Sequence, residues 1–271
     1  MSKIFNVSTS GFYSWRNRIP SKRKLQNEII GKEIEDLYFI ESKKRYGSPK
    51  IHSRLQDKKI NIGKNRVSRI MREKSLKSIV SKKFKVITTD SNHNHPVSPN
   101  LLNREFEVDL PNKVWVSDIT YLRCNNDFIY LCQIKDLCTK KIVGWSLSER
   151  MTSDMVVNSL KNAVHSQKPD TDLIFHSDRG VQYASKEFRK YLYFYNMQQS
   201  MSRKGNCWDN APAENFFSTL KREFTNHCEF KNIEEARLGL FEYIEVFYNR
   251  VRVHAAIGYK TPEEFERLIA A

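Results

Sequence analysis

The sequence predicts a mixed α/β sheet preceded by a basic helical region and followed by further helices. Apolar residues recur at helical spacing as far as Met71. From Val114 they give way to short runs rich in β-branched and aromatic residues. Charge divides at nearly the same place. Residues 1–105 hold 24 Lys+Arg against 9 Asp+Glu, and residues 106–271 hold 22 of each, so the net charge of +15 lies wholly in the first part. A segment that basic attracts polyanions, with counterion release from nucleic acid as the usual driving force; a merely soluble basic surface is the bland alternative.

Composition narrows the class further. With 271 residues and 39% hydrophobic content the chain can bury a real core. It has no run of about 18 apolar residues, and Met1 to Trp15 lack the layout of a secretory signal, so the expected address is the cytoplasm, with no membrane partner. Cys124, Cys132, Cys138, Cys207 and Cys228 form no CxxC pair, which argues for free thiols over a disulfide framework or a zinc knuckle.

Residues 1–81 read as a basic helical region. Leu25, Ile29, Ile30, Ile34, Leu37 and Tyr38 suggest one helical stripe between Leu25 and Ile40. After Tyr46-Gly47-Ser48-Pro49, Ile51 and Leu55 mark a short helix. Val67, Ile70 and Met71 mark another beyond the turn at Asn61-Ile62-Gly63, giving a helix-turn-helix-like module over about residues 46–78. Arg66, Arg69 and Arg72 recur at three-residue steps on its second helix, where they would meet phosphates or base edges, or simply water. A second, shorter candidate for such a module lies at Val7 to Tyr13, too truncated to weigh.

Residues 82–105 read as a linker in which little could pack. Its His93 and His95 form an HxH without a third ligand nearby, so a polar loop is the better reading than a metal site. Three antiparallel strands are expected at Val114–Leu122, Phe128–Ile134 and Lys141–Leu147. A helix at Ser153–Gln167, a strand at Leu173–Phe175, a helix at Ser185–Tyr195 and a strand at Gln198–Met201 follow. This βββαβαβα order fits a ribonuclease-H-type mixed sheet better than a doubly wound one. Its last helix is expected to start at Asn210-Ala211-Pro212, with Asn as cap and Pro in the first turn. Helices at Ile233–Asn249 and Pro262–Ala270 close the chain.

Three acids stand where burial has no reason to favour them. Asp118 interrupts the apolar run Val114 to Tyr121, Asp178 follows the strand ending at Phe175, and Glu214 opens a helix; 59 residues separate the first two and 35 the last two. Carboxylates on several elements that converge at one end of a sheet are the hard ligands that hold Mg²⁺ or Mn²⁺. Two such ions about 4 Å apart serve in-line attack on a phosphodiester.

The stretches around these acids are specific. They are Trp115-Val116-Ser117-Asp118-Ile119-Thr120-Tyr121, His176-Ser177-Asp178-Arg179-Gly180-Val181-Gln182-Tyr183, Gly205-Asn206-Cys207-Trp208-Asp209-Asn210-Ala211 and Glu214-Asn215-Phe216-Phe217-Ser218-Thr219-Leu220-Lys221. A fifth is Tyr248-Asn249-Arg250 with His254 and Gly258-Tyr259-Lys260-Thr261-Pro262. In this order they resemble the DDE transposases and retroviral integrases. Within these, the chain resembles the downstream-frame (OrfB) proteins of copy-out, paste-in bacterial insertion sequences of the IS-three type.

The resemblance implies an integrase catalytic core with a ribonuclease-H-like fold over residues 106–230 and a C-terminal helical extension over 231–271. Asp118, Asp178 and Glu214 would be catalytic and hold two Mg²⁺ ions, with Mn²⁺ as a substitute. Water would free a 3′-hydroxyl at the element end, and that hydroxyl would attack target DNA. Terminal inverted repeats, a homo-oligomer on DNA, an upstream-frame (OrfA) partner and residence at the bacterial nucleoid are implied likewise. Arg203, Lys204, Trp208 and Lys221 are candidate DNA contacts. Each has a bland alternative as a solvated or loop-stabilising side chain.

His176 is read as a positioning or packing group, Trp115 as sheet core, and Asn249, Arg250 and His254 as braces ahead of DNA contacts. Without metal the three carboxylates would repel one another, so one is expected to turn away. A nuclease without strand transfer, or a DNA-binding regulator with a relict core, would share much of this pattern.

Overall fold

Ser8 and Ser21 start the first two helices alike. Each hydroxyl accepts a hydrogen bond from the N–H three residues on, of Gly11 and Lys24 respectively, and so satisfies a free helix-end donor. In a computed structural model the described residues are 8–17, 19–80, 96–170, 172–204 and 206–270. They fall into two compact units, Met1–Ser78 and Ile79–Ala271. His93 and His95 lie outside the described residues.

The first unit holds α1 (Thr9–Arg16), α2 (Lys22–Asp36, continued by a π-helical turn to Glu41), α3 (Ser48–Asp57) and α4 (Lys64–Glu73). Ile34, Tyr46, Ile51, Leu55 and Val67 are its fully buried centre, and α3 and α4 form the expected two-helix module. The predicted stripe on α2 needs correction. Ile30, Ile34, Leu37 and Tyr38 are buried, but Leu25 and Ile29 are 47% and 69% exposed. At about 100° per residue Ile29 points well away from Ile30. Exposed Gln26 and half-buried Asn27 accept hydrogen bonds from Arg66 of α4.

The second unit is built on a five-stranded sheet of order β3-β2-β1-β4-β5. The strands are β1 (Val114–Cys124), β2 (Asp127–Asp136), β3 (Ile142–Ser148), β4 (Ile174–Ser177) and β5 (Gln198–Met201). The first three pair antiparallel, and β4 and β5 run parallel to β1. Between the strands come α5 (Ser153–Gln167), α6 (Val181–Ala184) and α7 (Lys186–Phe194). After β5 come α8 (Ala211–Glu223), α9 (Ile233–Phe241, continued by a π-helical segment to Tyr248) and α10 (Pro262–Ala270). This is the ribonuclease-H-type order predicted from sequence, with the short α6 added.

Strand alternation divides the side chains between two faces. Trp115, Ile134 and Phe175 pack against Val156 and Leu160 of α5 and Phe188 of α7. Val114 and Val116 pack on the other face with Leu137, Ala213 of α8 and Leu102. Gly144 permits the close approach of α5 to β3, because a Cβ there would collide with Ser159 and Ala163.

Leu102 corrects the linker expectation. Ser98 donates to Gln199 Oε1, Leu101 N–H to Ser200 Oγ, and Leu102 is 4% exposed, so this part of the segment joins the core. A single well-placed leucine in a polar stretch gave no periodicity to read.

Side-chain amides also serve the outer strand of the sheet. Asn249 Oδ1 accepts from Ile142 N at 3.0 Å and its Nδ2 donates to Ile142 O at 2.9 Å, while Asn162 Nδ2 donates to Trp145 O at 3.0 Å. Arg250 pairs with Glu263 at 3.5 Å, and His254 packs edge-on against Tyr248. These contacts make the Tyr248–Pro262 stretch a brace.

Candidate active site

The β1–β4 register pairs Val114 with Ile174, Trp115 with Phe175 and Val116 with His176. Asp118 lies two residues beyond Val116 within β1, and Asp178 two residues beyond His176, just past the last residue of β4, so both follow the same end of the paired register. Both are half-buried. Each offers one carboxylate oxygen to local backbone: Asp118 Oδ1 accepts from Ile119 N, and Asp178 Oδ1 from Gly180 N, both at 2.9 Å. Gly180 suits this turn, since a Cβ there would lie 3.0 Å from that same Asp178 oxygen.

Glu214 arrives on the first turn of α8 and is exposed. The start of that helix is fixed to the sheet at four points. Ala213 packs with Val114 and Val116, and Asn210 Nδ2 donates to Ser117 O at 3.3 Å. Lys135 Nζ donates to Pro212 O at 3.3 Å, and His176 Nε2 lies 3.0 Å from Asp209 O. Asn210 sits at the predicted cap position but makes no capping bond: its Nδ2 donates to the strand, and its Oδ1, the atom a cap would use, has no hydrogen-bond partner among the described residues.

The three acids sense one another. Burial pushes the Asp118 carboxyl well above the usual carboxylate range, and the charges of Asp178 and Glu214 add to it; Lys221 opposes. Glu214, though its surface is open, is raised by partial desolvation and by Asp178. Among the described residues no three His, Cys, Asp or Glu side chains close around one ion-sized point as they stand. The donor set is nonetheless that of a hard divalent cation, and a cation would relieve the repulsion that raises these groups.

The loop before α8 is organised by Asp209, which sequence reasoning treated only as part of a motif. Its carboxylate is buried and accepts from Arg203 N, Nε and Nη2 at 2.9 Å, from Arg104 Nε at 2.8 Å and from Asn100 Nδ2 at 3.0 Å. Arg203 above all, then Arg104, hold this carboxyl well below the usual carboxylate range. A depressed acid stabilises the fold above its unfolded value of about 4, and that stabilisation is lost as pH falls through the folded value. Asp209→Asn is therefore expected to lower the melting temperature at pH 7 by roughly 5 °C and to shrink the loss of stability on acidification below about pH 4. Calorimetry across that range checks both.

His176 is fully buried between Ser200 Oγ, 2.8 Å from Nδ1, and the Asp209 carbonyl. A carbonyl only accepts, so Nε2 carries the proton. Burial pushes its pKa down to about 4, which leaves the ring neutral and suits a positioning role.

The predicted DNA contacts are treated unequally by the fold. Lys221 lies two turns beyond Glu214 on α8, with Nζ 4.9 Å from the centre of the Tyr121 ring; burial lowers its pKa and Asp118 opposes the shift. Lys204 and Trp208 are exposed, whereas Arg203 is committed to Asp209 while keeping 48% of its side chain open. In the first unit Arg66 is turned onto α2, Arg69 lies 3.7 Å from Glu73, and Arg72 is exposed.

Comparison with known proteins gives the family. The integrase core domain family matches residues 109–207 and 195–262, and the HTH-like domain family matches residues 24–84. The 31 kDa protein of insertion element IS600 from Shigella sonnei is 42% identical over 265 residues, which cover 98% of this chain and 97% of that protein. Transposase InsF for insertion sequence IS3A from Escherichia coli (strain K12) is 36% identical over 269 residues, 98% of this chain and 92% of that protein. A chain of the simian T-cell lymphotropic virus intasome, solved in complex with PP2A regulatory subunit B56 gamma, shares the fold with a TM-score of 0.50 at 16% identity. The match covers 86% of this chain and 74% of that one. With an HTH-like domain ahead of a ribonuclease-H-like integrase core and relatives matched over nearly their whole length, the chain belongs to the IS3-type family of insertion-sequence transposases.

Proposed function

We propose that this transposase cleaves DNA at the ends of an insertion sequence to free a 3′-hydroxyl and then joins that hydroxyl to target DNA, using Asp118, Asp178 and Glu214 as its catalytic acids. The observation that carries this reading is that Asp118 on β1 and Asp178 just past the end of β4 each lie two residues beyond the paired Val116 and His176, with Glu214 on a helix start packed against Val114 and Val116. The upward push on both Asp118 and Glu214, from burial first and then from Asp178, supports it, because acids that destabilise one another are expected where a cation completes the site. The three carboxylates would hold two Mg²⁺ ions, with Mn²⁺ as a substitute. When bound, such ions neutralise phosphate charge and stabilise the entering and leaving oxygens.

The remaining side chains take supporting parts. Lys221 faces a phosphate beside the acids, and Asp209 and neutral His176 hold the start of α8 in place. Lys204, Trp208 and the open part of Arg203 meet the strand near the site. Arg69 and Arg72 bring the first unit to inverted-repeat DNA, with Arg66 shaping the α4 surface from its place on α2. The protein works as an oligomer on paired ends, with an upstream-frame (OrfA) product as partner, in the cytoplasm at the nucleoid. Among the described residues no helix is long and apolar enough to cross a membrane.

Incubation with end-bearing duplex and Mg²⁺, with and without the upstream-frame product, tests the reading. A released 3′-hydroxyl and a joined product are expected. Cleavage without joining would reduce the chain to a nuclease.

Lys221→Ala should weaken strand transfer at limiting DNA and moderate salt by roughly 10-fold with the fold intact, the scale of one charge-assisted contact. Unchanged transfer would make Lys221 an ordinary surface lysine.

A further inference from the structure

Across the β1–β2 ladder, directly opposite Asp118, stands Gln133. Opposed residues of an antiparallel pair share a face, with Cβ atoms about 5 Å apart. Gln133 is fully buried, and neither Oε1 nor Nε2 has a hydrogen-bond partner among the described residues. Its neighbours on that face are engaged elsewhere. Trp145, opposite it on β3, donates Nε1 to Glu245 Oε1 at 2.8 Å, and Lys135 gives Nζ to Pro212 O. A buried amide in this state is a standing cost that a methionine or leucine of similar size would remove. A partner acquired in another state would remove that cost.

Asp118 is the neighbour able to become that partner. One of its oxygens rests on the N–H of the very next residue, a local bond that a small side-chain rotation exchanges. The chemistry also selects an amide. A lysine or arginine opposite Asp118 would compete with a metal for its charge, and another acid would add repulsion to a crowded site. An amide donates a hydrogen bond and leaves the negative charge available.

We propose that Gln133 is a positioning residue for Asp118: in the metal-loaded protein its Nε2 donates to the Asp118 carboxylate and fixes the ligating orientation. This rests on the reading of Asp118 as a metal ligand. Groups that orient ligating carboxylates typically change metal affinity by about 10–100-fold when removed.

The test uses the full chain with Gln133→Met and Gln133→Leu. Mn²⁺ binding is followed by the electron paramagnetic resonance of free Mn²⁺, and melting is followed in EDTA. We expect Mn²⁺ affinity to fall about 10-fold or more while the EDTA melting temperature holds or rises, since the unpartnered amide is gone. A structural glutamine would behave otherwise. Unchanged affinity overturns the inference, as does a joint fall of affinity and melting temperature, or failure of both variants to fold. Asp118→Asn, measured in parallel, separates the two readings. If it keeps wild-type Mn²⁺ affinity, the assignment of Asp118 as a ligand fails. If it loses affinity while Gln133→Met retains it, only the role of Gln133 fails.

Discussion

Asp118→Asn, Asp178→Asn and Glu214→Gln should each lower end cleavage and strand transfer together, by on the order of 10³-fold, while DNA binding survives. Each amide keeps the shape of its acid and removes one anionic ligand. The paired loss follows from the proposed function, in which both steps are displacements at phosphorus carried out in one place. Stability gives an internal control. Burial and neighbouring charge already push Asp118 and Glu214 upward, so neutralising one member relieves repulsion and the metal-free melting temperature should hold or rise. A variant that is inactive because it is unfolded would melt lower. Parallel gel assays of released and joined products, with calorimetry in EDTA, make the measurement. If a neutralised variant joins strands at the wild-type rate, in a preparation shown to be active, that acid is not part of the machinery.

Removal of residues 1–78 should have the second-largest effect. That segment carries 20 Lys+Arg against 7 Asp+Glu, a net of +13 out of +15. If it makes about four to six phosphate contacts, its loss should flatten the slope of log K against log salt by roughly 4 to 5. Non-specific affinity should fall by on the order of 10²- to 10³-fold. Anisotropy titrations between about 50 and 200 mM salt on a random duplex read both quantities. Sequence reasoning would place the cut at residue 105, but Leu102 fills the core beside Ala213 and Arg104 holds Asp209. A cut there would damage the second unit and confuse lost binding with lost folding. An unchanged slope in the protein beginning at residue 79 would move DNA affinity to the second unit.

What the sequence made legible follows from what leaves a pattern. The strands around Asp118 and before Asp178 were readable because β-branched runs bounded by turn residues have few other uses, and the acids stood out against them. The expected helix at Ser153–Gln167 matches α5, as periodicity over four turns allows. Contacts between distant segments were not readable. Nothing local to Asp209 shows that Arg104 and Asn100 converge on it, and nothing local to Asn210 says that its Nδ2 reaches the Ser117 carbonyl. The contact of Gln26 and Asn27 with Arg66 was not readable either, because Leu25 and Ile29 look like the residues that face a neighbour until the place of α4 is known. Gln133 was hidden for a different reason: a polar residue inside an apolar strand reads as an ordinary exception until its lack of partners is seen.

The amides of Asn249 and Asn162 on β3 bear on how the protein survives in a crowded cell. The outer strand of an open sheet presents backbone groups on which another chain can add a strand, the usual beginning of runaway association. Here Asn249 occupies both backbone groups of Ile142 and Asn162 occupies the carbonyl of Trp145, three residues along a strand of seven. An incoming strand needs several free groups in sequence and finds the row interrupted. Two asparagines from distant parts of the chain thereby blunt the rim of the sheet against templated growth, using no proline and no charge.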